Sequence, residues 1–309
     1  MSTSPIFTVF TPTYNRAATI GRVYSSLEAQ TFRDFEWVVV DDGSTDGTGE
    51  LIEEWRRSAS FPIRYFWQQN GHKKTAFNRG VREARGELFL CADSDDAAMP
   101  RALETFYDRW MQIPPEQRPL FAGVCGLCVR PEGEIVGDPF PEDVWDGFLP
   151  ELFYRHRVGG EKWGFVRTDV LRAFPFPEDV PGHVPEGVVW SAIGRKYKTR
   201  CVNEPVRVYY DSPDSLTRAR EYEALRRNAS GLALWAREIL STETSWFRYR
   251  PLWFLRAAAN YTRFRKHALS AGSKVPPRVS GWLPKMLVAG AYPLGLVLYL
   301  QDARRKRRG

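Results

Sequence analysis

Apolar and polar residues alternate in blocks over the first hundred positions of the chain. Short runs rich in Ile, Val, Phe and Leu predict buried strands, and the segments between them repeat apolar residues at helical spacing. The predicted order is strand 6–11, helix 17–30, strand 35–40, helix 47–57, strand 63–67, helix 75–84 and strand 88–92. Strands that alternate with helices in this way form a mostly parallel sheet with helices on both faces. The pattern therefore predicts an α/β fold.

A polar stretch follows each of the four predicted strands. These stretches are residues 11–16, residues 41–46, the loop after Trp67 and residues 93–96. Right-handed crossovers bring the carboxyl ends of such strands to one edge of the sheet, which is where open α/β sheets bind their ligands. We expect the four stretches to converge on a single site.

The last of these stretches, Asp93-Ser-Asp-Asp96, places three carboxylates within four positions. Crowded carboxylates raise one another's pKa unless a cation neutralises them. Hard oxygen ligands on a short turn suit Mg²⁺ or Mn²⁺, with phosphate oxygens of a substrate completing the coordination shell. The alternative is a solvated turn of capping Asp residues.

The sheet edge suggests a nucleotide ligand, but two common nucleotide motifs are missing from the sequence. No G-x-G-x-x-G follows the first strand, and G-x-x-x-x-G-K-[ST] occurs nowhere, which excludes a P-loop NTPase. Asp41-Asp-Gly-Ser-Thr-Asp46 follows the second strand instead. It is typical of a turn with a helix cap. An Asp at that strand end also suits the ring N–H of a uracil-type base or the ribose hydroxyls.

Several ordered motifs resemble those of family 2 glycosyltransferases, which have the GT-A fold, invert the anomeric centre and use nucleotide sugars. The motifs are Pro12-Thr-Tyr-Asn-Arg16, Val40-Asp-Asp-Gly-Ser-Thr-Asp46, Asn70-Gly-His-Lys73 with Ala76-Phe-Asn78, and Ala84-Arg-Gly86 before the acidic turn. The resemblance covers residues 5 to about 210. It implies a catalytic domain over residues 1–212.

The resemblance also implies roles for individual residues. Asp42 would recognise the base with Asp41 beside it, and Lys73 would lie near the donor. One of the three carboxylates at positions 93–96 would hold the ribose and one or two the metal; we favour Asp93 for the donor and Asp95 and Asp96 for the metal. The base pocket would be lined by Pro12, Tyr14 and Arg16.

An inverting transfer needs a general base that deprotonates the acceptor hydroxyl, and the metal stabilises the departing diphosphate. The family places this base at a helix start well after the metal motif, and the matching residue here is Glu186. Its alternative role is a first-turn helix carboxylate, with Asp179 and Glu178 as further candidates for the base. Trp163 lies in a run that resembles the acceptor-facing strand, and it is equally typical of a core aromatic residue.

The chain changes character after about residue 211, and we predict a helical, basic extension over residues 213–309. From position 241 onward there are 14 Lys and Arg against two acidic residues, whereas the first 240 positions carry 30 basic and 35 acidic residues. Residues 286–300 are uncharged and interrupted by Pro293, and Arg304-Arg-Lys-Arg-Arg308 follows them. Fifteen residues are short for a spanning helix. An apolar helix beside a basic cluster favours contact of residues 286–308 with an anionic membrane surface, and the alternative is a packed terminal helix.

The remaining features indicate a cytoplasmic setting. Nothing at the N-terminus resembles a signal peptide, and the four cysteines are too few and scattered for a disulfide framework. The Cys125-Gly-Leu-Cys128 pair lies in a strand-like run, which favours a structural role over a redox one. A slightly acidic body with a basic tail does not indicate a nucleic-acid partner.

Together these observations predict a metal-dependent inverting glycosyltransferase at the cytoplasmic face of the membrane. Its donor is expected to be a nucleotide sugar, a UDP-sugar, and its acceptor a hydroxyl of a glycan or lipid-linked molecule. One alternative is a sugar-1-phosphate nucleotidyltransferase, although residues 12–16 lack the Gly-rich loop of that class. The other is a non-catalytic nucleotide-sugar-binding protein that acts as a membrane scaffold.

Overall fold

The computed structural model describes residues 4–211 and 222–305 of the chain. These residues divide into two compact units, which are described separately below. The first contains Met1–Pro175 and Ala192–Ser212, and the second contains Phe176–Ser191 and Pro213–Gly309. The second unit thus includes a segment, Phe176–Ser191, that we had assigned to the catalytic domain.

The first unit contains a mixed sheet with helices between its strands. The alternation predicted for the first hundred residues is confirmed, and the largest shift of a boundary is at the start of the first helix. The strands are β1 (Phe7–Thr13), β2 (Phe35–Asp41), β3 (Ile63–Trp67), β4 (Leu88–Cys91), β5 (Ala97–Ala98), β6 (Phe121–Val129), β7 (Val144–Gly147), β8 (Lys162–Arg167) and β9 (Lys198–Val208). The helices are α1 (Gly21–Glu28), α2 (Thr48–Ser58), α3 (Lys73–Glu83), α4 (Ala102–Met111), α5 (Leu149–Tyr154) and α6 (Thr168–Ala173), with a 3-10 turn at Arg118–Leu120.

The strands of the described residues form one sheet in the order β3-β2-β1-β4-β8-β6-β9-β5, and β7 pairs with β9. The first four strands are parallel, with Phe7 opposite Phe35 on one side and Leu88 on the other. Beyond β4 the sheet is mixed, because β8 is antiparallel to both β4 and β6 while β9 is parallel to β6. The α/β class is confirmed, and the mostly parallel arrangement is limited to the first half of the sheet.

The central strands β1 and β2 are buried at every position, as expected of strands that helices cover on both faces. Their side chains join a core cluster in which Phe7, Trp37 and Phe165 are almost fully buried. Helix α3 lies close against β1, because Gly80 faces the ring of Phe10 with no room for a side chain. This close packing fixes the start of α3, and with it Lys73, beside the ends of the strands.

The second unit is helical. Its helices are α8 (Tyr222–Arg227), α9 (Ala229–Thr242), α10 (Pro251–Ser270) and α11 (Trp282–Arg305), with a 3-10 turn at Thr244–Trp246, and α7 (Gly187–Lys196) contains the division between the units. Within the helical extension predicted over residues 213–309, residues 222–242 form the two helices α8 and α9, and residues 212–221 lie outside the described part of the chain.

Helix α11 has 24 residues and continues through Pro293. It is therefore longer than the helix that the apolar run of fifteen residues predicted. Within Trp282–Arg304 an 18-residue window has a mean hydropathy of 1.5, so this helix is long and apolar enough to cross a membrane by length and composition. One face is buried at Leu287, Ala291 and Gly295, and a Cβ on Gly295 would lie 2.5 Å from the carbonyl oxygen of Ala259 in α10. The two helices therefore pack closely.

A buried ion pair joins the far end of α11 to α10. The Asp302 carboxylate accepts hydrogen bonds from Arg263 Nε at 2.6 Å and Nη2 at 2.7 Å, and it lies 3.0 Å from His267 Nε2. Burial lowers the pKa of His267, and Asp302 opposes this shift. Burial raises the pKa of Asp302, but Arg263 and His267 outweigh this effect and lower it overall. This cluster fixes the position of α11 along α10.

We predict that Gly80→Ala lowers the free energy of unfolding by about 1–3 kcal/mol, the usual cost of overpacking a core. The added Cβ would lie 2.2 Å from the Phe10 ring, which is itself fully buried. Gly21→Ala is the matched control, because the nearest atom to its Cβ, in Trp55, is 4.0 Å away. Urea unfolding of both variants measures the difference. Equal stability of the two variants would contradict the close contact of α3 with β1.

We also predict that the stability of the helical unit falls as the pH decreases from about 8 to about 5.5, across the ordinary pKa of histidine. The pKa of His267 is lower in the folded protein than in the unfolded chain, so the unfolded chain takes up the proton first. Thermal unfolding of His267→Gln should depend less on pH over this range. The exposed His156 provides the control, since His156→Gln should retain the wild-type pH dependence.

Candidate functional site

The carboxyl ends of β1, β2, β3 and β4 meet at one edge of the sheet, as predicted. The backbone N–H of Asp42 donates to the Thr13 carbonyl at 2.8 Å, and that of Gln68 donates to the Asp41 carbonyl at 2.9 Å. The ends of the first three strands are therefore bonded in register. The four polar stretches that follow them lie on this edge, which we call the strand-end site.

The loops after β1 and β2 are held together by side-chain hydrogen bonds. Asn15 has a positive φ of 52°, a conformation that Asn tolerates better than most residues. Its Oδ1 accepts from Thr45 N at 2.8 Å, and its own N–H donates to Ser44 Oγ at 2.8 Å. Asp46 accepts from Ala17 N at 2.9 Å and also caps Thr48 at the start of α2. The two loops therefore act as one structural element.

Asp41 and Asp42 are both buried, but they differ in what remains available for a ligand. Both oxygens of Asp41 are bonded, to Ser44 N at 2.7 Å and to the Tyr65 hydroxyl at 2.8 Å. Asp42 accepts two hydrogen bonds on Oδ1, from Gln68 Nε2 and Gly71 N, and no described residue donates to its Oδ2. Of the pair, Asp42 has the oxygen that a ligand can use.

The three residues predicted to line a base pocket occupy different depths in the first loop. Pro12 is buried within β1, the ring of Tyr14 is 51% exposed, and Arg16 is half-buried. The exposed Tyr14 ring offers a flat apolar surface beside the loop that contains Asp42. Pro12 supports this loop from inside the strand.

The acidic turn is neutralised by two cations from distant parts of the chain. Asp93 pairs with Lys73 Nζ at 2.7 Å and with Arg207 Nη2 at 3.0 Å. Asp96 pairs with the same Arg207 nitrogen, and its other oxygen accepts from Tyr210 N at 2.8 Å. The structure thus places Lys73 beside the turn, and its role near the donor stays a prediction; no site prediction included Arg207.

These contacts shift the ionisation of the groups involved. Burial raises the pKa of the Asp93 carboxyl, but Lys73 and Arg207 outweigh it and hold that pKa well below its usual range. Burial lowers the pKa of Arg207, and the two carboxylates more than compensate, so the guanidinium remains charged. Burial raises the pKa of Asp96, while Arg207 and Tyr210 oppose the shift. Asp93 is therefore a permanent anion at neutral pH.

Asp95 is the carboxylate that remains available at this turn. Its backbone carbonyl accepts from Arg22 Nη1 at 2.9 Å, and the Arg22 guanidinium lies 4.3 Å from the centre of the Tyr210 ring. No residue in the described ranges donates a hydrogen bond to the Asp95 side chain. Arg22 thus fixes the backbone of the turn and leaves the Asp95 carboxylate half-exposed.

The residues present fit a divalent ion only in part. Among residues 4–211 and 222–305, no three His, Cys, Asp or Glu side chains form a group that could hold a metal. An ion that uses one carboxylate and takes its other ligands from a diphosphate needs no such group. Asp95 fits that role. Asp96, which we had also favoured, faces Arg207 and a backbone N–H instead.

The structure places Trp163 inside the core. Its ring is 5% exposed and packs edge-to-face on Phe106, and its Nε1 donates to the Cys91 carbonyl at 2.5 Å. A ring buried in this way has no face available for an acceptor sugar. The geometry therefore favours the core role of Trp163 over the acceptor-side role.

Glu186 directly precedes helix α7 and belongs to the second compact unit. Its backbone carbonyl accepts from Trp190 N at 3.0 Å, and its side-chain Oε2 accepts from Trp190 Nε1 at 3.2 Å. The predicted helix start is thus present at this residue. The role of Glu186 as general base stays a prediction.

Arg207 is the principal residue that the sequence analysis missed. It lies in β9 between the buried Val206 and the half-buried Val208. A basic residue inside a buried strand needs a carboxylate partner, since an unpaired buried charge is costly. That signal was present in the sequence, although it did not identify the partner.

The chain is similar to known proteins in sequence and in fold. The model of the family described as Glycosyl transferase family 2 matches residues 8–148, which contain the first four strands and the acidic turn. A relative is the GalNAc(5)-diNAcBac-PP-undecaprenol beta-1,3-glucosyltransferase of Campylobacter jejuni, 28% identical over 216 residues that cover 66% of this chain and 64% of that protein. The chain spans less than two thirds of the length of the first curated relatives that it matches.

Solved structures show the same fold. The structure of residues 1–349 of S. aureus TarS in complex with UDP-GlcNAc has a TM-score of 0.56 and 18% identity, covering 96% of this chain and 91% of that one. The mannosyltransferase PcManGT from Pyrobaculum calidifontis, in complex with GDP-Man and Mn²⁺, has a TM-score of 0.55 and 19% identity, covering 98% and 85%. The predicted GT-A type of α/β fold is confirmed by these likenesses. The chain belongs to glycosyltransferase family 2.

Proposed function

We propose that the protein is an inverting glycosyltransferase that transfers a sugar from a UDP-sugar to a hydroxyl of a glycan or lipid-linked acceptor. The observation that carries the proposal is the strand-end site, where an exposed aromatic ring, a buried Asp with one available oxygen and a charge-balanced acidic turn follow neighbouring parallel strands. Family membership supports it, as does a structural neighbour described in complex with UDP-GlcNAc.

The first two loops suit the base of the donor. The exposed face of Tyr14 allows stacking of a flat heterocycle. Oδ2 of Asp42 is the acceptor for the ring N–H of uracil, while Asp41 holds the loop through Ser44 and Tyr65. Arg16, half-buried at the end of the same loop, provides positive charge beside the base and the diphosphate.

The acidic turn suits the ribose and the diphosphate. Asp93 is an anion held in place by Lys73 and Arg207, so it accepts hydrogen bonds from the ribose hydroxyls without having to be oriented first. Lys73 lies close enough to this turn to offset the charge of the phosphates. A Mg²⁺ or Mn²⁺ ion at Asp95 would neutralise the charge that develops on the leaving diphosphate. A structural neighbour is described with Mn²⁺.

Glu186 is the proposed general base. As the acceptor oxygen attacks the anomeric carbon, its proton passes to the carboxylate of Glu186, and the bond from that carbon to the diphosphate oxygen breaks. Attack from the face opposite the leaving group inverts the anomeric centre. The hydrogen bond from Trp190 Nε1 orients the carboxylate of Glu186.

The second unit supports contact with a membrane surface. The outward side of α11 is apolar, with Trp282, Met286 and Leu294 all more than half exposed. A soluble helix normally has a polar outer face, so an apolar one indicates that lipid or protein covers it. Lys285 and Arg304 on the same helix, with the further basic residues at positions 305–308, favour anionic headgroups. One relative is named for an undecaprenol-linked substrate.

The geometry favours a helix that lies at the membrane surface over one that crosses it. Asp302 is buried against Arg263 and His267 of α10, and α10 itself is a helix with several charged residues. Moving α11 alone into the hydrocarbon core would break this ion pair and expose the Asp302 charge to lipid. We therefore propose that the protein is peripheral at the cytoplasmic face of the membrane.

Transfer from a panel of nucleotide sugars, with Mn²⁺ or with EDTA, tests the enzymatic proposal. We expect metal-dependent turnover, and a fall in kcat of about 10²–10⁴-fold in Glu186→Gln because proton abstraction is lost. Nucleotide binding by this variant should be unchanged. Glu178→Gln is the matched control from the same segment and should retain activity. If Glu178→Gln loses turnover and Glu186→Gln does not, the base is Glu178.

Two other results would contradict the enzymatic proposal, one of them from an assay with a nucleoside triphosphate and a sugar phosphate as substrates. Release of diphosphate from a nucleoside triphosphate and a sugar phosphate would indicate a nucleotidyltransferase. Binding of a nucleotide sugar without turnover, in the presence of membrane extract as acceptor source, would support a scaffold protein.

Flotation with lipid vesicles tests the membrane proposal. Wild-type protein should bind vesicles that contain phosphatidylglycerol more strongly than vesicles of phosphatidylcholine alone. The triple variant Met286→Ser, Leu294→Ser and Leu300→Ser should lose more than about tenfold in binding, since each buried side chain contributes roughly 1–2 kcal/mol. Met111→Ser with Leu120→Ser, exposed apolar residues of the first unit, is the control. Equal binding by the triple variant and wild type would refute the proposed surface.

A further inference from the structure

Arg207 has an unusual position for a charged residue. It lies on β9, opposite Cys128 of β6 and Ala98 of β5, so sheet neighbours flank it on both sides. The residue is 6% exposed, and its guanidinium borders a cavity of about 10 Å³ together with Asp93, Asp96 and Trp163. The charge is therefore held inside the first unit, directly beneath the acidic turn.

The two carboxylates meet this guanidinium at a single atom. Oδ2 of Asp93 and Oδ2 of Asp96 both contact Nη2 of Arg207. Two carboxylate oxygens that converge on one point form the arrangement that a small cation requires. Their remaining oxygens are held by Lys73 and by the backbone N–H of Tyr210, so neither carboxylate is free to turn away.

The contact between Arg207 and the two carboxylates uses a single nitrogen, Nη2, so it does not use the full hydrogen-bonding capacity of the guanidinium. Arginine usually binds carboxylates through two parallel hydrogen bonds. Here Nε of Arg207 is buried without a hydrogen-bond partner among the described residues, which is unfavourable. A residue selected only to stabilise the strand would satisfy this N–H. The arrangement instead brings one positive nitrogen to the point between the two carboxylates.

We propose that Arg207 is the resident cation of the acidic turn and occupies the point between Asp93 and Asp96 that a divalent ion would otherwise take. Only Asp95 is then available to an ion, so the ion binds weakly to the free protein and tightly once a nucleotide diphosphate supplies further oxygens. Arg207 thus acts as a positioning residue that sets the order of binding. This inference rests on the proposed donor site, since the diphosphate is part of that proposal.

Charge balance supports the same order. The carboxylates of the turn pair with the two cations Lys73 and Arg207, and Arg22 bonds to the backbone of Asp95, so the turn has little net negative charge with which to attract an ion. One exposed carboxylate gives a divalent ion little affinity, because Mg²⁺ and Mn²⁺ keep most of their water unless several oxygens replace it. A diphosphate brings both the charge and the oxygens. Without Arg207 the turn would be more negative by one unit of charge and would have two convergent oxygens available.

Mn²⁺ binding to nucleotide-free protein, measured by electron paramagnetic resonance or calorimetry, tests this inference. We expect Arg207→Gln to bind Mn²⁺ at least tenfold more tightly than wild type, because the substitution frees both convergent oxygens. Arg207→Lys keeps the positive charge and should bind like wild type. The double variant Arg207→Gln with Asp96→Asn should lose the gain. A purely structural role for Arg207 predicts no gain of affinity, so a folded Arg207→Gln that binds no more tightly would overturn the inference.

A second measurement applies even if Arg207→Gln does not fold. Mn²⁺ affinity in the presence of UDP should fall at least tenfold in Asp95→Asn and change less than threefold in Asp96→Asn. Equal losses in the two variants would overturn the inference. The nucleotide-free measurement does not depend on turnover or on donor binding. A protein without transferase activity whose Arg207→Gln variant gains Mn²⁺ affinity would therefore contradict the proposed function while supporting the role of Arg207.

Discussion

Three carboxylates within four residues repel one another, and the strand-end site depends on how this repulsion is relieved. The relief comes from two cations that are far apart in the chain, Lys73 at the start of α3 and Arg207 near the end of β9. Each cation can reach the turn only because its own element is firmly packed. The close contact of α3 with β1 places Lys73, and the position of β9 beside β6 places Arg207. The charge balance of the turn is therefore a property of the whole sheet.

The first half of the fold could be predicted from sequence because its information is local. Strands buried on both faces read as continuous apolar runs, and the helices between them show their spacing directly. The strand order in the second half of the sheet cannot be predicted from local sequence in this way. β8 lies between β4 and β6 and is antiparallel to both, a pairing that no turn or periodicity near residue 162 specifies.

The candidate site shows the same limit. The polar stretches at the strand ends were predictable, since parallel strands must bring their ends together. The sequence could not show which of the adjacent residues Asp41 and Asp42 supports the loop and which keeps an oxygen available. Asp41 supports its loop and Asp42 keeps an oxygen available because of contacts with Tyr65 and Gln68, which come from β3 and the loop that follows it. Arg207 is separated from Asp93 by 114 residues, so only the folded chain reveals their contact.

The hydrogen bonds that join the first two loops have a consequence for how such a site can diverge. Asn15, Ser44 and Asp46 connect the segment with the exposed aromatic ring to the segment with the buried Asp, through bonds that run in both directions. A substitution that reshapes one loop removes partners from the other. A change of base preference by single substitutions would thus pass through intermediates in which both loops are disturbed. The wall of the site that contacts the base should consequently evolve by paired replacements, and designed exchanges of donor specificity should transplant the two loops together.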